Sequence, residues 1–160
     1  MDQAQRQTLI ERYKQGYRVL AEVVSRLGEN RLDMHPAGGG WSPREIVHHL
    51  ADAELMGAVR LRRLLSEERP PIQGYDQEEF SQKLHYDRPI ASSLDVFRTT
   101  REANGELLDR LSDDEWAREG THSEMGRYTL DDWLNIYTGH LHTHVEQIRQ
   151  AVGEAARVES

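Results

Sequence analysis

The chain has 160 residues, with 20 Lys and Arg against 28 Asp and Glu, and a formal net charge of −8. That balance argues against a nucleic-acid or anionic-membrane partner, because neutralising phosphate needs a basic surface. The absence of cysteine removes disulfides, thiolate metal sites and a protein thiol nucleophile.

Hydrophobic content of 37% and charged content of 30% suit amphipathic helices with wet outer faces, in one domain spanning residues 1–160. The start Met1-Asp2-Gln3-Ala4-Gln5 lacks a signal-peptide core, and no run reaches transmembrane length. The expected location is the cytoplasm.

Residues 2–27 read as a first long helix, with Leu9, Ile10, Tyr13, Tyr17, Leu20, Val24 and Leu27 at three- and four-residue steps and Gly28 as a stop. Residues 29–40 form a connector. Its run Gly38-Gly39-Gly40 has neither a preceding strand nor a following lysine-bearing helix start, so it does not read as a phosphate cradle. Ser42-Pro43-Arg44-Glu45 opens a second helix, with Ser42 as N-cap, Pro43 at the first turn and Glu45 closing a capping box. Trp41 and Ile46 take the staple positions. This helix runs to about residue 67, before Pro70-Pro71. Its apolar face carries Ile46, Leu50, Ala53, Leu61 and Leu64, with Gly57 permitting close approach. His49 borders that face, and His48 projects further from it.

Residues 68–89 form a long connection, with a short helix over 76–84, and its length implies a crossover. His85 and Tyr86 within it read as surface or packing residues. A third helix spans 92–111. Arg101 and Asn104 interrupt its apolar face; they are expected at the surface along a helix edge, the alternative being a polar cavity. Ser112-Asp113-Asp114-Glu115 opens a short helical turn, and residues 120–128 read as a polar loop holding His122, which could help position a substrate.

The last helix starts after the N-cap Thr129, with Asp131 and Asp132 suited to its positive end, and ends near residue 152; the tail to residue 160 reads as frayed. Its stripe runs Leu130, Trp133, Leu134, Tyr137, Leu141, Ile148, Ala151. His144 falls inside that stripe, His140 one turn earlier on the same side, and His142 roughly opposite, toward solvent. Imidazoles at i and i+4 that face a core either bond to core partners or chelate one metal ion.

Four long helices with almost no strand signal imply an all-α four-helix bundle with a long crossover connection between the second and third helices. Bundles build metal sites from inward side chains of facing helices. His49, His140 and His144 fit that scheme. Three neutral imidazoles bind Zn2+ or Ni2+, with Fe2+ or Co2+ as alternatives, and leave positions open for chemistry. Asp52, Glu54 and Glu146 are candidate outer partners of these imidazoles. His140 is followed by Leu141, so the metalloprotease base is missing.

Three stretches in order carry a resemblance to a known family: Trp41-Ser42-Pro43-Arg44-Glu45-Ile46-Val47-His48-His49-Leu50-Ala51-Asp52, Gly126-Arg127-Tyr128-Thr129-Leu130, and His140-Leu141-His142-Thr143-His144-Val145-Glu146-Gln147-Ile148. Over about residues 9–151 the chain resembles the DinB-like superfamily, which includes YfiT-type proteins and thiol S-transferases. The resemblance implies metal ligands at His49, His140 and His144, a divalent-metal site at one end of the bundle, and homodimers. It also implies a small-molecule substrate, through transfer of a low-molecular-weight thiol cosubstrate to an electrophile. Hydrolysis by metal-activated water and non-enzymatic binding of metal or small molecules are the alternatives. No catalytic residue beyond the metal ligands is assigned.

Overall fold

The computed structural model describes residues 1–153; the expectation for the tail falls on 154–160, outside the described residues. The first bundle helix is built from α1 (Gln3–Lys14) and α2 (Gly16–Ser25). Asp2 and Gln5 form a capping box at its start. A short α3 (Glu29–Leu32) follows, lying within the predicted connector. The second bundle helix is α4 (Pro43–Ser66), opened by the Ser42–Glu45 capping box with Pro43 at the first turn. The connection after it holds β1 (Pro71–Ile72) and α5 (Gln77–Lys83) and leads to the third bundle helix, α6 (Ala91–Leu108). Then come α7 (Asp113–Trp116), β2 (Glu119–His122), β3 (Gly126–Thr129) and the fourth bundle helix, α8 (Leu130–Ala151).

Side-chain pairings fix the helix directions. Between α4 and α6, His48 meets Ser93, Glu54 meets Arg101 and Arg62 meets Asn104, so numbers rise together and the helices are parallel. Between α4 and α8, His49 meets His140 while the Trp133 indole donates to the Gly57 carbonyl, so these run antiparallel. Arg6 with Asp131 and Arg12 with His142 make α1 parallel to α8. Lys14 with Asp109, and Arg98 over the Tyr17 ring, make the first helix antiparallel to α6. The result is an up-down-down-up bundle. Two parallel neighbours, α4 and α6, force the chain to return along the bundle, which the long connection accomplishes.

The core has two parts. One gathers Tyr13, Leu61, Leu64, Leu108, Trp116, Trp133 and Leu134; the other gathers Leu20, Ile46, Leu50, Phe97, Leu141 and Ile148. Gly57 does what its position promised: a Cβ there would lie 2.5 Å from the Tyr137 ring.

The predicted polar loop over 120–128 is instead a β-hairpin. β2 pairs antiparallel with β3 and parallel with β1, giving a three-stranded sheet in the order β1-β2-β3. Alternation is too short in four-residue strands to show in the sequence. The turn closes on Gly126 at φ 74°, a left-handed conformation that favours glycine.

Three readings of exposure are corrected. Arg101 and Asn104 are buried at 2% and 0% exposure, not at a surface edge. Arg101 pairs with the equally buried Glu54, donating from Nε at 2.8 Å, and reaches the carbonyls of Tyr13 and Tyr137. Tyr13 Oη donates to the other Glu54 oxygen at 2.7 Å and accepts from Asn104. Gly16, at the junction of α1 and α2, leaves room for the guanidinium, since a Cβ there would lie 2.1 Å from Arg101 Nη1.

His48 is likewise fully buried, bonded to Ser93 Oγ at 2.7 Å and to the Arg88 carbonyl at 2.9 Å. A wheel with one apolar face misplaces it, because α4 is covered on two sides, by α6 and by α8.

Arg101→Met leaves the Glu54 carboxylate buried without its cation, and breaking such a pair costs about 3–5 kcal/mol. Urea unfolding followed by circular dichroism should show that loss. A change below about 1 kcal/mol, the size of an exposed pair, would contradict the account.

Candidate metal centre

Three imidazoles converge at the end of the bundle where α4 begins and α8 approaches its close. His49 lies two turns into α4, held by the cap at Ser42. His140 and His144 share one face of α8. His140 Nε2 stands 3.0 Å from His49 Nε2 and 3.1 Å from His144 Nε2. One nitrogen from each residue lies within 4.8 Å of the others. The rings pack edge to face, with centroids 4.5–5.0 Å apart. The structure thus brings together the three histidines singled out in the sequence.

Tautomers follow from the partners. The Gln147 amide oxygen lies 2.7 Å from His144 Nδ1. An amide oxygen only accepts, so Nδ1 holds the proton and Nε2 turns its lone pair to the cluster. Burial lowers the His49 pKa to about 2, helped by the neighbouring His144 and His140. Burial, then His144, lowers that of His140 to about 3. Burial also lowers the pKa of His144, against the opposing effect of its hydrogen bond to Gln147. The cluster therefore resists protons and presents neutral nitrogens to one point.

The residues fit a divalent cation. Nitrogens on a tetrahedral zinc at 2.0–2.1 Å lie about 3.3 Å from one another, close to the spacing seen. His49 Nδ1 is buried without a hydrogen-bond partner, so its ring is oriented by packing against Trp41, at a centroid distance of 4.6 Å.

The carboxylates proposed as outer partners are engaged elsewhere. Asp52 accepts from the Tyr86 hydroxyl at 2.8 Å, Glu54 lies in the core network, and Glu146 pairs with Arg149. Gln147 takes that role instead. Its place three residues after His144 was the available signal. His142 is half-buried, where Arg12 Nε donates to it, and it takes no part in the cluster. His122 sits buried on β2, its Nδ1 accepting from the Glu124 backbone, also outside the cluster. His85 is exposed in the connection, and Tyr86 is buried.

A cavity of about 680 Å³ opens beside His144, lined by Pro36, the 38–40 glycine run, Trp41, Gln77, Glu78, Gln147 and Gln150. The glycines turn the chain at positive φ, 82° at Gly39 and 119° at Gly40, and His35 Nδ1 donates to the Gly40 carbonyl. The run read as a connector is thus also a wall of the cavity. Among the described residues Glu78, brought by α5, is its one lining carboxylate.

A family model described as the DinB superfamily matches residues 12–148. A relative from Oceanobacillus iheyensis, named "Putative metal-dependent hydrolase", is 32% identical over 131 residues, covering 82% of this chain and 76% of its own. The "Putative metal-dependent hydrolase YfiT" of Bacillus subtilis is 30% identical over 135 residues, covering 82% and 75%. A solved structure of YfiT from Bacillus subtilis, described as "a probable metal-dependent hydrolase with an unusual four-helix bundle topology", superposes with a TM-score of 0.90 at 26% identity. That match covers 96% of this chain and 89% of the other.

Removing the amide that orients a liganding imidazole weakens metal sites by about 10–100-fold. Gln147→Ala should therefore lower zinc affinity in that range with stoichiometry unchanged, as read by competition with a chromogenic chelator. Unchanged affinity would remove Gln147 from the site.

Proposed function

The chain belongs to the DinB superfamily, and from that premise we propose that it is a metal-dependent enzyme acting on a small molecule, with His49, His140 and His144 as ligands of one divalent ion. The observation that carries this reading is the convergence of three neutral, proton-resistant nitrogens from two helices. Zn2+ and Ni2+ suit an all-imidazole set best, with Fe2+ and Co2+ next. When bound, such an ion supplies Lewis acidity that lowers the pKa of a coordinated thiol or water.

The chain's own residues do the rest. His144, tied to Gln147, offers a fixed Nε2. Trp41 covers His49 and stacks near His144 at 6.1 Å, excluding water from one side. The cavity beside His144 receives the substrate between amide side chains and the glycine wall.

The favoured reaction is transfer of a low-molecular-weight thiol to an electrophile. A thiol ionises from near 8.5 and so needs less help than water from a protein base. Asp52, Glu54 and Glu146 are committed to other partners. With no cysteine in the chain, the sulfur comes from the cosubstrate. Hydrolysis is the second reading. It is supported by the names of the relatives and by Glu78, a carboxylate at the cavity wall whose Oε1 accepts from Gln82 Nε2 at 3.0 Å.

Protein purified without added metal or chelator should hold about one equivalent of divalent metal per chain, by inductively coupled plasma mass spectrometry. His144→Ala should lose most of it, while His142→Ala should keep it. The loaded protein should consume an electrophile such as an epoxide only when a thiol is added. Thiol-independent cleavage of esters or amides, abolished by Glu78→Gln, would favour hydrolysis instead. Failure to bind zinc or nickel on titration would sink both.

A further inference from the structure

The cavity beside His144 carries charge of one sign. Its side chains include the amides of Gln77, Gln147 and Gln150, the Trp41 indole and the Glu78 carboxylate. Among the described residues no lysine or arginine lines it. Glu78 is exposed, so its carboxylate is open to whatever enters. Its Oε1 accepts from the neutral Gln82 amide at 3.0 Å, and among the described residues its Oε2 has no hydrogen-bond partner and the group makes no ion pair.

Cations and acids that flank the cavity in sequence are engaged elsewhere. Lys83, on the same helix as Glu78, pairs with Glu79. Arg149, next to Gln150, pairs with Glu146. The start of α5 is capped by Asp76, whose Oδ1 accepts from the Glu79 backbone amide at 3.0 Å, so Glu78 is not consumed in capping. No side chain of α5 is buried. The ring of Phe80 meets that of Tyr75 at 4.6 Å, and the helix leaves Glu78 on the cavity wall rather than in the core.

We infer that the cavity takes a cation, and that the substrate carries an ammonium group held by the Glu78 carboxylate; the second statement rests on the metal-centre reading, the first does not. An anion entering this cavity would meet a carboxylate and no balancing charge, a juxtaposition that selects against it. A neutral ligand would leave Glu78 unanswered. Between the two common organic cations, the hydrogen bonding of Glu78 favours the amine. A guanidinium fork is matched by two carboxylate oxygens, and Oε1 is already shared with Gln82. An ammonium is a compact charge that a single oxygen satisfies. The Trp41 ring in the same wall offers a second surface attractive to a cation.

The test uses the full chain labelled with nitrogen-15, zinc-loaded and metal-free. The probes are butylammonium, 1-butanol and butanoate, which differ in charge at similar size. The readouts are the Gly39 amide and the Trp41 indole N–H resonances, the latter assigned by its loss in Trp41→Phe. Butylammonium should move both saturably in either metal state and bind about fivefold tighter than 1-butanol, the worth of one accessible ion pair. Butanoate, compared on the metal-free chain where no metal competes for it, should bind most weakly. Glu78→Gln should abolish the preference for butylammonium, and Glu79→Gln should keep it, because that carboxylate is paired with Lys83. Absence of a saturable shift with butylammonium, equal binding of the three probes, tighter butanoate, survival of the preference in Glu78→Gln, or an equal loss in Glu79→Gln would each overturn the assignment. Histidine ring resonances report zinc separately. Their failure to respond, with the butylammonium preference intact, would sink the metal reading and leave the cation site standing; zinc uptake without that preference would sink the cation site alone.

Discussion

A single charge pair reaches every helix of the bundle. Glu54 comes from α4 and Arg101 from α6, while the Arg101 guanidinium also bonds the Tyr13 carbonyl of α1 and the Tyr137 carbonyl of α8. Removing two charges from water is expensive, and the return comes only when the remaining donors and acceptors are filled. Here they are: both Glu54 oxygens accept, from Arg101 and Tyr13, and Asn104 closes the network on Tyr13. Rings of Tyr13 and Phe97 lie at 4.3 and 4.6 Å from the guanidinium carbon. Apolar packing alone tolerates a helix sliding by a turn. This network does not, since a shift of any helix strands a buried charge.

The imidazole cluster depends on that register. Tyr137, whose carbonyl Arg101 holds, is one turn before His140 and two before His144. Glu54 is little more than one turn after His49. The network thus sets α8 against α4 within a turn of the place where the three Nε2 atoms must meet. Rigid support of this kind is what a preorganised site requires, because donors misplaced by about 1 Å lose much of their effect.

Much of this was legible in the sequence. The capping boxes at Ser42 and Ser112 and the N-cap at Thr129 placed three helix starts, and the crossover followed from the length of the connection. His49, His140 and His144 were readable because helical periodicity puts them on inward faces of two helices that a bundle brings together. What escaped was whatever depends on a second surface. Arg101 looked like an edge residue because its partner, Glu54, is 47 positions away on another helix. His48 looked outward because periodicity reports one buried face, and α4 has two. The strands were too short to alternate visibly. Gln147 and Trp41 gained their places beside the imidazoles only once the bundle had closed.

The connection between α4 and α6 is anchored at its two ends. β1 is hydrogen-bonded into the sheet at one end, and the Arg88 carbonyl is gripped by His48 and Arg44 at the other. Between these anchors it contributes to the cavity wall but little to the bundle core. The entropic cost of lengthening such a segment grows only with the logarithm of its length. The frame that fixes the imidazoles and the segment that shapes their surroundings are therefore separable in energy. Evolution can redraw one while leaving the other untouched, which suits this architecture to diversification of substrate around an unchanging centre.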